Sequence, residues 1–211
     1  PLGATLPQIN MRLATTWGTN ALLTRSGEPP LLVINRGFAD LPLIGCQARP
    51  DLFALADLRE PPLNGAALEI DARMDAQGRP LVEFDESTFA SRARKAFDAG
   101  QRVAAVVLLH ADKNAAHEET AERILREAGF EHVTSSSQVA SEIRILPRLQ
   151  TAIVDAYLSP VILEYLGRIQ LALEAGSLLV MTSAGGLVGS SAFRPKDSLL
   201  SGPAGGIAGA A

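Results

Sequence analysis

Seven consecutive aliphatic residues, Val103 to Leu109, stand between Arg102 and His110, and what surrounds them narrows the possible folds most. A run this short falls far below the roughly 20 residues that span a bilayer, so it reads as a core strand. Asn114 then offers a helix cap, Ala121, Ile124, Leu125 and Ala128 recur on one helical face, and Gly129 supplies a C-terminal stop. Glu131 to Ser135 follows as another strand. Strands alternating with helices predict a mostly parallel sheet.

The alternation extends in both directions. Thr19 to Ser26 reads as a short helix, and Leu31 to Asn35 as a short buried strand after the Gly27-Glu28-Pro29-Pro30 breaker. Residues 37 to 65 are rich in Pro, Gly and Asp without a sustained period, a long excursion with at most short helices, of the kind that tends to be functional. Leu68, Ile70, Ala72 and Met74 alternate, Asp75-Ala76-Gln77-Gly78 turns the chain, and Leu81 to Phe84 returns, so a hairpin is expected. Asp85 or Ser87 caps a helix with Phe89, Ala93, Ala96 and Phe97 on one face, ending at Gly100. Later, Leu149, Ile153, Tyr157, Ile162, Leu166, Ile169 and Leu173 mark a long helical segment that Pro160 is expected to kink or split, ending at Gly176 before the strand Leu178 to Met181. Ser201 reads as the N-cap of a last helix with Pro203 in its first turn. The fold class is α/β: a mostly parallel sheet with helices on both faces plus an antiparallel hairpin.

At 211 residues the chain can bury one substantial core or two small ones, and 47% hydrophobic with 20% charged residues fits a soluble globular protein. A net charge of -4 with mixed signs gives no footprint for nucleic acid. The first twenty residues lack a cationic start and apolar block, so neither export nor a membrane is expected. The single Cys46 rules out an internal disulfide framework and fits a reducing, cytoplasmic compartment, where its default role is a small buried hydrophobe.

Chemical motifs are scarce: there is no G-x-x-x-x-G-K-[ST], no G-x-G-x-x-G and no H-E-x-x-H. His110, His117 and His132 fall close together, but the strand end and first helical turn that carry the first two suit solvated or capping roles better than metal ligation. The acidic run Asp112 to Glu122 reads as a solvated helix face. Two polar stretches stand out. Thr15-Thr16-Trp17-Gly18-Thr19-Asn20 suits an oxyanion or small polar ligand, or simple capping. Met181-Thr182-Ser183-Ala184-Gly185-Gly186 follows a core strand, where its amides could face a phosphate or form a plain tight turn. In the Ser201 helix, Gly202/Gly206 and Gly205/Gly209 recur at helical spacing; close packing of the helix is the simpler reading, phosphate on its free amides the other.

Several stretches carry a resemblance in collinear order: Thr15-Thr16-x-x-Thr19-Asn20-Ala21-Leu22-Leu23, Arg36-Gly37-Phe38-x-Asp40, and Ile44-Gly45-x-Gln47-Ala48-Arg49-Pro50-Asp51-Leu52-Phe53. Asn114-x-x-His117-Glu118, Val154-Asp155-Ala156-Tyr157-Leu158-x-Pro160, Met181-Thr182-Ser183-x-Gly185-Gly186 and Lys196-Asp197-Ser198-x-Leu200-Ser201-Gly202-Pro203-Ala204-Gly205-Gly206 continue it. The chain resembles the hydantoinase/oxoprolinase family, in its hydantoinase A-like part and nearest its ATP-dependent 5-oxoprolinase branch. Ala14, Ala115, Ala152 and Ala184 depart from that pattern, where the family usually has Gly, Pro, Thr, and Asn or Ser.

The resemblance implies an actin-like, sugar-kinase-like ATPase fold that couples ATP hydrolysis to opening of a cyclic amide, 5-oxoproline or a hydantoin-type ring. The two acidic glycine hairpins that grip phosphates in that superfamily are expected before residue 1 and after the Ser201 helix. Residues 1–211 are thus expected to be an internal fragment, a partial first lobe, with 1–100 holding the long loop and hairpin and 101–211 an α/β part ending at the connecting helix. ATP and Mg²⁺ are implied for the intact parent and neither for the fragment, which is expected to be inactive. Thr16, Thr19, Asn20, Ser183, Gly185 and Gly186 are implied for the substrate cleft, and Ser201, Gly202, Gly205 and Gly206 beside the nucleotide; no catalytic residue or metal ligand is assigned. A hydantoinase B-like subunit or fused domain is the implied partner, and a lobe cut at these bounds could self-associate into a homo-oligomer. The alternatives are a non-catalytic actin-like ATP-binding module, such as a reactivase or assembly subunit, and a subunit of a related ATP-dependent carboxylase.

Overall fold

The computed structural model describes residues 9–48, 53, 60–173 and 176–210, the last four by backbone only. Within the excursion read over 37 to 65, positions 49–52 and 54–59 lie outside the described residues. In chain order the first elements are β1 (Asn10–Leu13), α1 (Trp17–Leu23), β2 (Leu31–Asn35), α2 (Leu41–Ile44) and β3 (Ala67–Ile70). They are followed by β4 (Arg73–Met74), β5 (Pro80–Val82), α3 (Glu86–Asp98), β6 (Val103–Val107), α4 (Ala116–Ala128), β7 (His132–Ser135) and α5 (Ser136–Val139). Last come α6 (Ile145–Ala172), β8 (Ser177–Met181), β9 (Leu187–Gly189) and α7 (Ser201–Ala210). The chain gathers into two units: Pro1–Gly27 with Leu158–Ala211, and Glu28–Tyr157.

The second unit is built on a parallel sheet in the order β3-β2-β6-β7. Strands β2 and β6 are buried along their whole length, so successive side chains feed two cores. Leu31, Val33, Ala104 and Val106 meet Phe89 and Ala93 of α3 and Ala121, Ile124 and Leu125 of α4. Leu32, Ile34, Val103, Ala105 and Val107 meet Leu149, Ala152, Ile153 and Ala156 of α6. Helices therefore cover both faces of this sheet, as the alternation predicts.

The hairpin is smaller than its sequence pattern. Ala67–Ile70 leaves it to pair in parallel with β2, and only Arg73–Met74 and Pro80–Val82 are antiparallel. An alternating run specifies which side chains face inward, and Ile70, Ala72 and Met74 do, but not which neighbour takes the ladder hydrogen bonds. Asp85 caps α3, its Oδ1 accepting from the Thr88 amide at 3.0 Å, while the Ser87 hydroxyl donates to the same oxygen at 2.8 Å. These bonds, the Thr88 amide foremost, hold the Asp85 carboxyl at about 2, below its usual 3.8. A depressed carboxyl contributes stability that is present above pH 3.8 and is lost as pH falls toward 2. Asp85→Ala is expected to lower the melting temperature at pH 7 and to flatten this part of the acid limb, which thermal melts across pH 2 to 5 would check.

The cap of α4 sits one residue later than expected: Ala115 is the N-cap, and Asn114 Oδ1 accepts from the Ala116 amide at 3.0 Å. Gly129 ends the helix at φ 109°, left-handed as a C-terminal glycine stop requires. Pro160 does not split α6, which runs unbroken for 28 residues. Ile153 and Ala156 before it and Ile162 and Leu166 after it are buried, and this packing offsets the missing amide. Cys46 is exposed rather than buried, in the loop that follows the short α2.

In the first unit β1 and β8 pair in parallel and β9 lies antiparallel to β8. Trp17 of α1 stacks on Tyr165 of α6 with ring centroids 5.2 Å apart. Among the described residues no helix is long and apolar enough to cross a membrane.

Candidate functional site

Because β1 and β8 are parallel, both carboxyl ends leave the sheet at one edge, with Leu13 opposite Val180. The loops that follow them, at 14–16 and 182–186, belong to the two polar stretches of the sequence. Helix α7 packs back onto this edge: a Cβ on Gly205 would come within 2.5 Å of Ala14 Cβ and 3.7 Å of Met181 Cγ. Between them lies an open cleft of about 420 Å³ lined by Arg12, Leu13, Ala14, Met181, Gly185, Leu187 and Gly205. Of the expected site residues, Gly185 and Gly205 line this cleft.

The others do not line it. Thr16 and Asn20 are exposed, and Asn20 uses its carbonyl to accept from the Thr24 amide and hydroxyl, both at 2.9 Å. Thr19 Oγ1 lies 3.5 Å from the Leu200 amide. Ser183 is exposed and its amide donates to Asp197 O at 2.8 Å. The Thr182 amide donates to Gly186 O and the Gly185 amide to Thr182 O, so three amides of this loop are engaged within the protein, as in a tight turn. Ser201 does not cap α7 from outside. It is the first helical residue, and its buried hydroxyl shares one proton between Thr15 O at 2.8 Å and Ser198 O at 2.9 Å, tying the helix to the β1 loop.

The glycines of α7 divide by function. Gly202 and Gly205 face the β1 loop, with a Cβ on Gly202 meeting Thr16 Cγ2 at 2.7 Å, whereas nothing lies within 4 Å of a Cβ on Gly206. The packed pair is therefore 202/205, not 202/206, and Gly206 keeps an open face. Gly202→Ala is expected to cost about 1–3 kcal/mol through overpacking, and Gly206→Ala to leave stability unchanged or slightly raised. Chemical denaturation of both variants would check this; equal costs would mean that the two faces are not distinct.

Arg12 is the cationic member of the cleft and carries no motif. Its position between Met11 and Leu13 in a strand of only four residues is the sole signal that could have found it. One guanidinium beside close-approach glycines suits a small anionic or polar group.

In the second unit two expectations fail. His117 is buried beside Phe84, 5.8 Å between ring centroids, and burial pushes its pKa below 6.5. The acidic run is not a solvated face throughout, since Glu118 is fully buried. Its Oε1 accepts from the Leu108 amide at 2.8 Å and the Ser136 hydroxyl at 2.6 Å, and its Oε2 from the Ser137 amide at 2.8 Å. The equally buried Arg148 donates to Ser136 Oγ at 2.9 Å and Leu108 O at 2.8 Å, and lies 3.9 Å from Glu118 Oε1. Helical position put Glu118 on the inward face; its partner lies far along the chain and gave no local signal. Among the described residues no three His, Cys, Asp or Glu side chains are grouped to hold a metal ion.

The hydantoinase/oxoprolinase N-terminal region matches residues 8–129, and a second region described as hydantoinase/oxoprolinase matches residues 148–211. The chain is 38% identical to 5-oxoprolinase 1 of Arabidopsis thaliana over 94% of its own length and 18% of that protein's. It is 30% identical to the acetophenone carboxylase gamma subunit of Aromatoleum aromaticum over 98% of this chain and 31% of that one. Among solved structures, nucleotide-free acetone carboxylase superposes with a TM-score of 0.82 at 24% identity, covering 95% of this chain and 31% of that chain. The ATP-dependent caprolactamase from Pseudomonas jessenii superposes with a TM-score of 0.78 at 26% identity, covering 90% and 29%. The mixed α/β architecture is consistent with a lobe of the actin-like ATPase type.

Proposed function

Because this chain belongs to the hydantoinase/oxoprolinase family, we propose that it is most of the first lobe of an ATP-dependent enzyme that opens a cyclic amide, with 5-oxoproline as substrate. The observation that carries the reading is the convergence of the β1 loop, the β8 loop and α7 on one cleft, at the carboxyl ends of two parallel strands. ATP, when bound, supplies the phosphoryl group that turns the amide oxygen into a leaving group and makes the ring carbonyl electrophilic.

The chain's own residues bind and orient. Gly185 lines the cleft, and Thr16, Thr19, Asn20, Ser183 and Gly186, on the adjoining loops and α1, are assigned with it to the substrate. Ser201 and Gly202 hold α7 against the β1 loop, so that Gly205 and the open face at Gly206 can be approached by the nucleotide phosphates. Arg12 offsets their charge. Mg²⁺ and the groups that orient water belong to the intact parent, and the 211-residue chain by itself is inactive. A hydantoinase B-like subunit or fused domain completes the enzyme in the cytoplasm.

Isothermal titration of Mg·ATP and of 5-oxoproline into a longer chain that restores residues on both sides, with the 211-residue chain in parallel, tests this. Both ligands are expected to bind the longer chain only. A longer chain that binds Mg·ATP without 5-oxoproline would favour a related carboxylase, the second reading, which the 30% identity to a carboxylase subunit supports. Tight binding of a protein partner without turnover would favour a non-catalytic module.

A further inference from the structure

The three-stranded sheet of the first unit has two unlike faces. Register sets Arg12 beside Leu179 and Met181 beside Leu187, so these side chains share one face, while Leu178 and Val180 point to the other and are buried. Helix α7 covers the first face as far as Met181, which a Cβ on Gly205 would approach to 3.7 Å and which is 9% exposed. The next strand is left open. Leu187, directly opposite Met181, is 37% exposed and lines the cleft.

Leu187 is fixed in place through the backbone. It follows the 182–186 loop, where the Gly186 carbonyl accepts from the Thr182 amide at 2.8 Å and the Thr182 hydroxyl at 3.1 Å, and it then pairs with Met181. Strands β1 and β9 flank β8, so Arg12 and Leu187 stand two strand spacings apart, roughly 10 Å. The cleft therefore has two chemically different sides. Arg12 and the glycines of α7 suit negative charge, whereas Met181 and Leu187 make an apolar wall. A phosphate gains nothing from such a wall, but the ring carbons of a lactam lose water against it.

We propose that Leu187, with Met181 beside it, seats the methylene edge of the cyclic amide and sets the ring size that the cleft admits. On the reading of the parent as a cyclic amidase, on which this rests, the phosphates lie toward Arg12 and α7 and the ring lies toward β9, next to Gly185. A five-membered lactam such as 5-oxoproline lays its two ring methylenes on Leu187, while the seven-membered ring of caprolactam runs into it. Gain or loss of one methylene contact in an apolar pocket changes affinity by about 10- to 200-fold, enough for one side chain to select between these rings.

The test titrates 5-oxoproline, caprolactam and Mg·ATP into the longer chain, unchanged or carrying Leu187→Ala or Leu187→Val. Leu187→Ala is expected to bind 5-oxoproline about tenfold more weakly, and caprolactam more tightly, than the unchanged protein does. Leu187→Val, one methylene shorter and well suited to a strand, shifts both affinities the same way by about threefold. Mg·ATP affinity is the same in all three, because the nucleotide meets the opposite side of the cleft. Unaltered 5-oxoproline affinity in Leu187→Ala would overturn the proposal and leave the proposed activity standing. So would a parallel loss of 5-oxoproline and Mg·ATP in both variants, which would make Leu187 a structural residue of β9, or a caprolactam affinity that neither variant raises. If the unchanged protein binds Mg·ATP but none of 5-oxoproline, hydantoin and caprolactam, the reading of the parent falls, and this assignment with it.

Discussion

Arg148→Met is expected to destabilise the second unit by about 3–5 kcal/mol, the loss that follows when one partner of a buried charge pair is removed. The methionine fills similar space, so the loss is not one of volume. It strips the Leu108 carbonyl of its donor and leaves the buried Glu118 carboxylate without a cation nearby. Glu118 would still accept from Leu108, Ser136 and Ser137, which is why the unit should remain foldable. Removing the second charge as well, in Arg148→Met with Glu118→Gln, should recover part of the loss, the coupling expected of two groups in one network. Denaturant melts, with hydrogen exchange across β6 and β7, would measure both. A single variant within about 1 kcal/mol of the unchanged chain would mean that the carboxylate does not depend on its cation.

Gly176→Ala is expected to cost about 2–3 kcal/mol, near the upper end for overpacking. A Cβ there collides with the carbonyl oxygen of Ile9. That atom cannot swing aside, because it is backbone and accepts from the Ser177 amide at 3.1 Å at the start of the β1–β8 ladder. The strain falls on the pairing that builds the first unit, so loss of amide protection at Asn10–Leu13 should accompany the fall in stability. Retained protection with unchanged stability would show that the chain before β8 can shift freely.

Legibility followed the range of the interactions. Strand β6 and helix α4 were readable because an aliphatic run, a 3.6-residue period and a terminal glycine all act within a few positions. Strands β1 and β9 were not, being four and three residues long and mostly exposed or half-buried, with pairing decided by partners far along the chain. Glu118 looked like part of a solvated face for the same reason: charge is visible locally, while the buried Arg148 that accompanies it is not. The polar stretches at Thr15–Asn20 and Met181–Gly186 and the glycines of α7 were recognisable as separate pieces. That Gly202 and Gly205, rather than Gly206, meet the β1 loop depends on the angle at which α7 returns, and no spacing encodes it.

The parallel ladder that joins Asn10 to Ser177 also dictates an order of events during synthesis. The second unit has every strand and core helix turn it needs once Tyr157 has left the ribosome, and can close on itself. Strand β1 is made first yet must wait for β8, which at roughly 5–20 residues per second means on the order of ten seconds without its partner. The residues that line the cleft are therefore brought together only after the second unit can close, and the waiting strand β1 is where a chaperone would have most to protect.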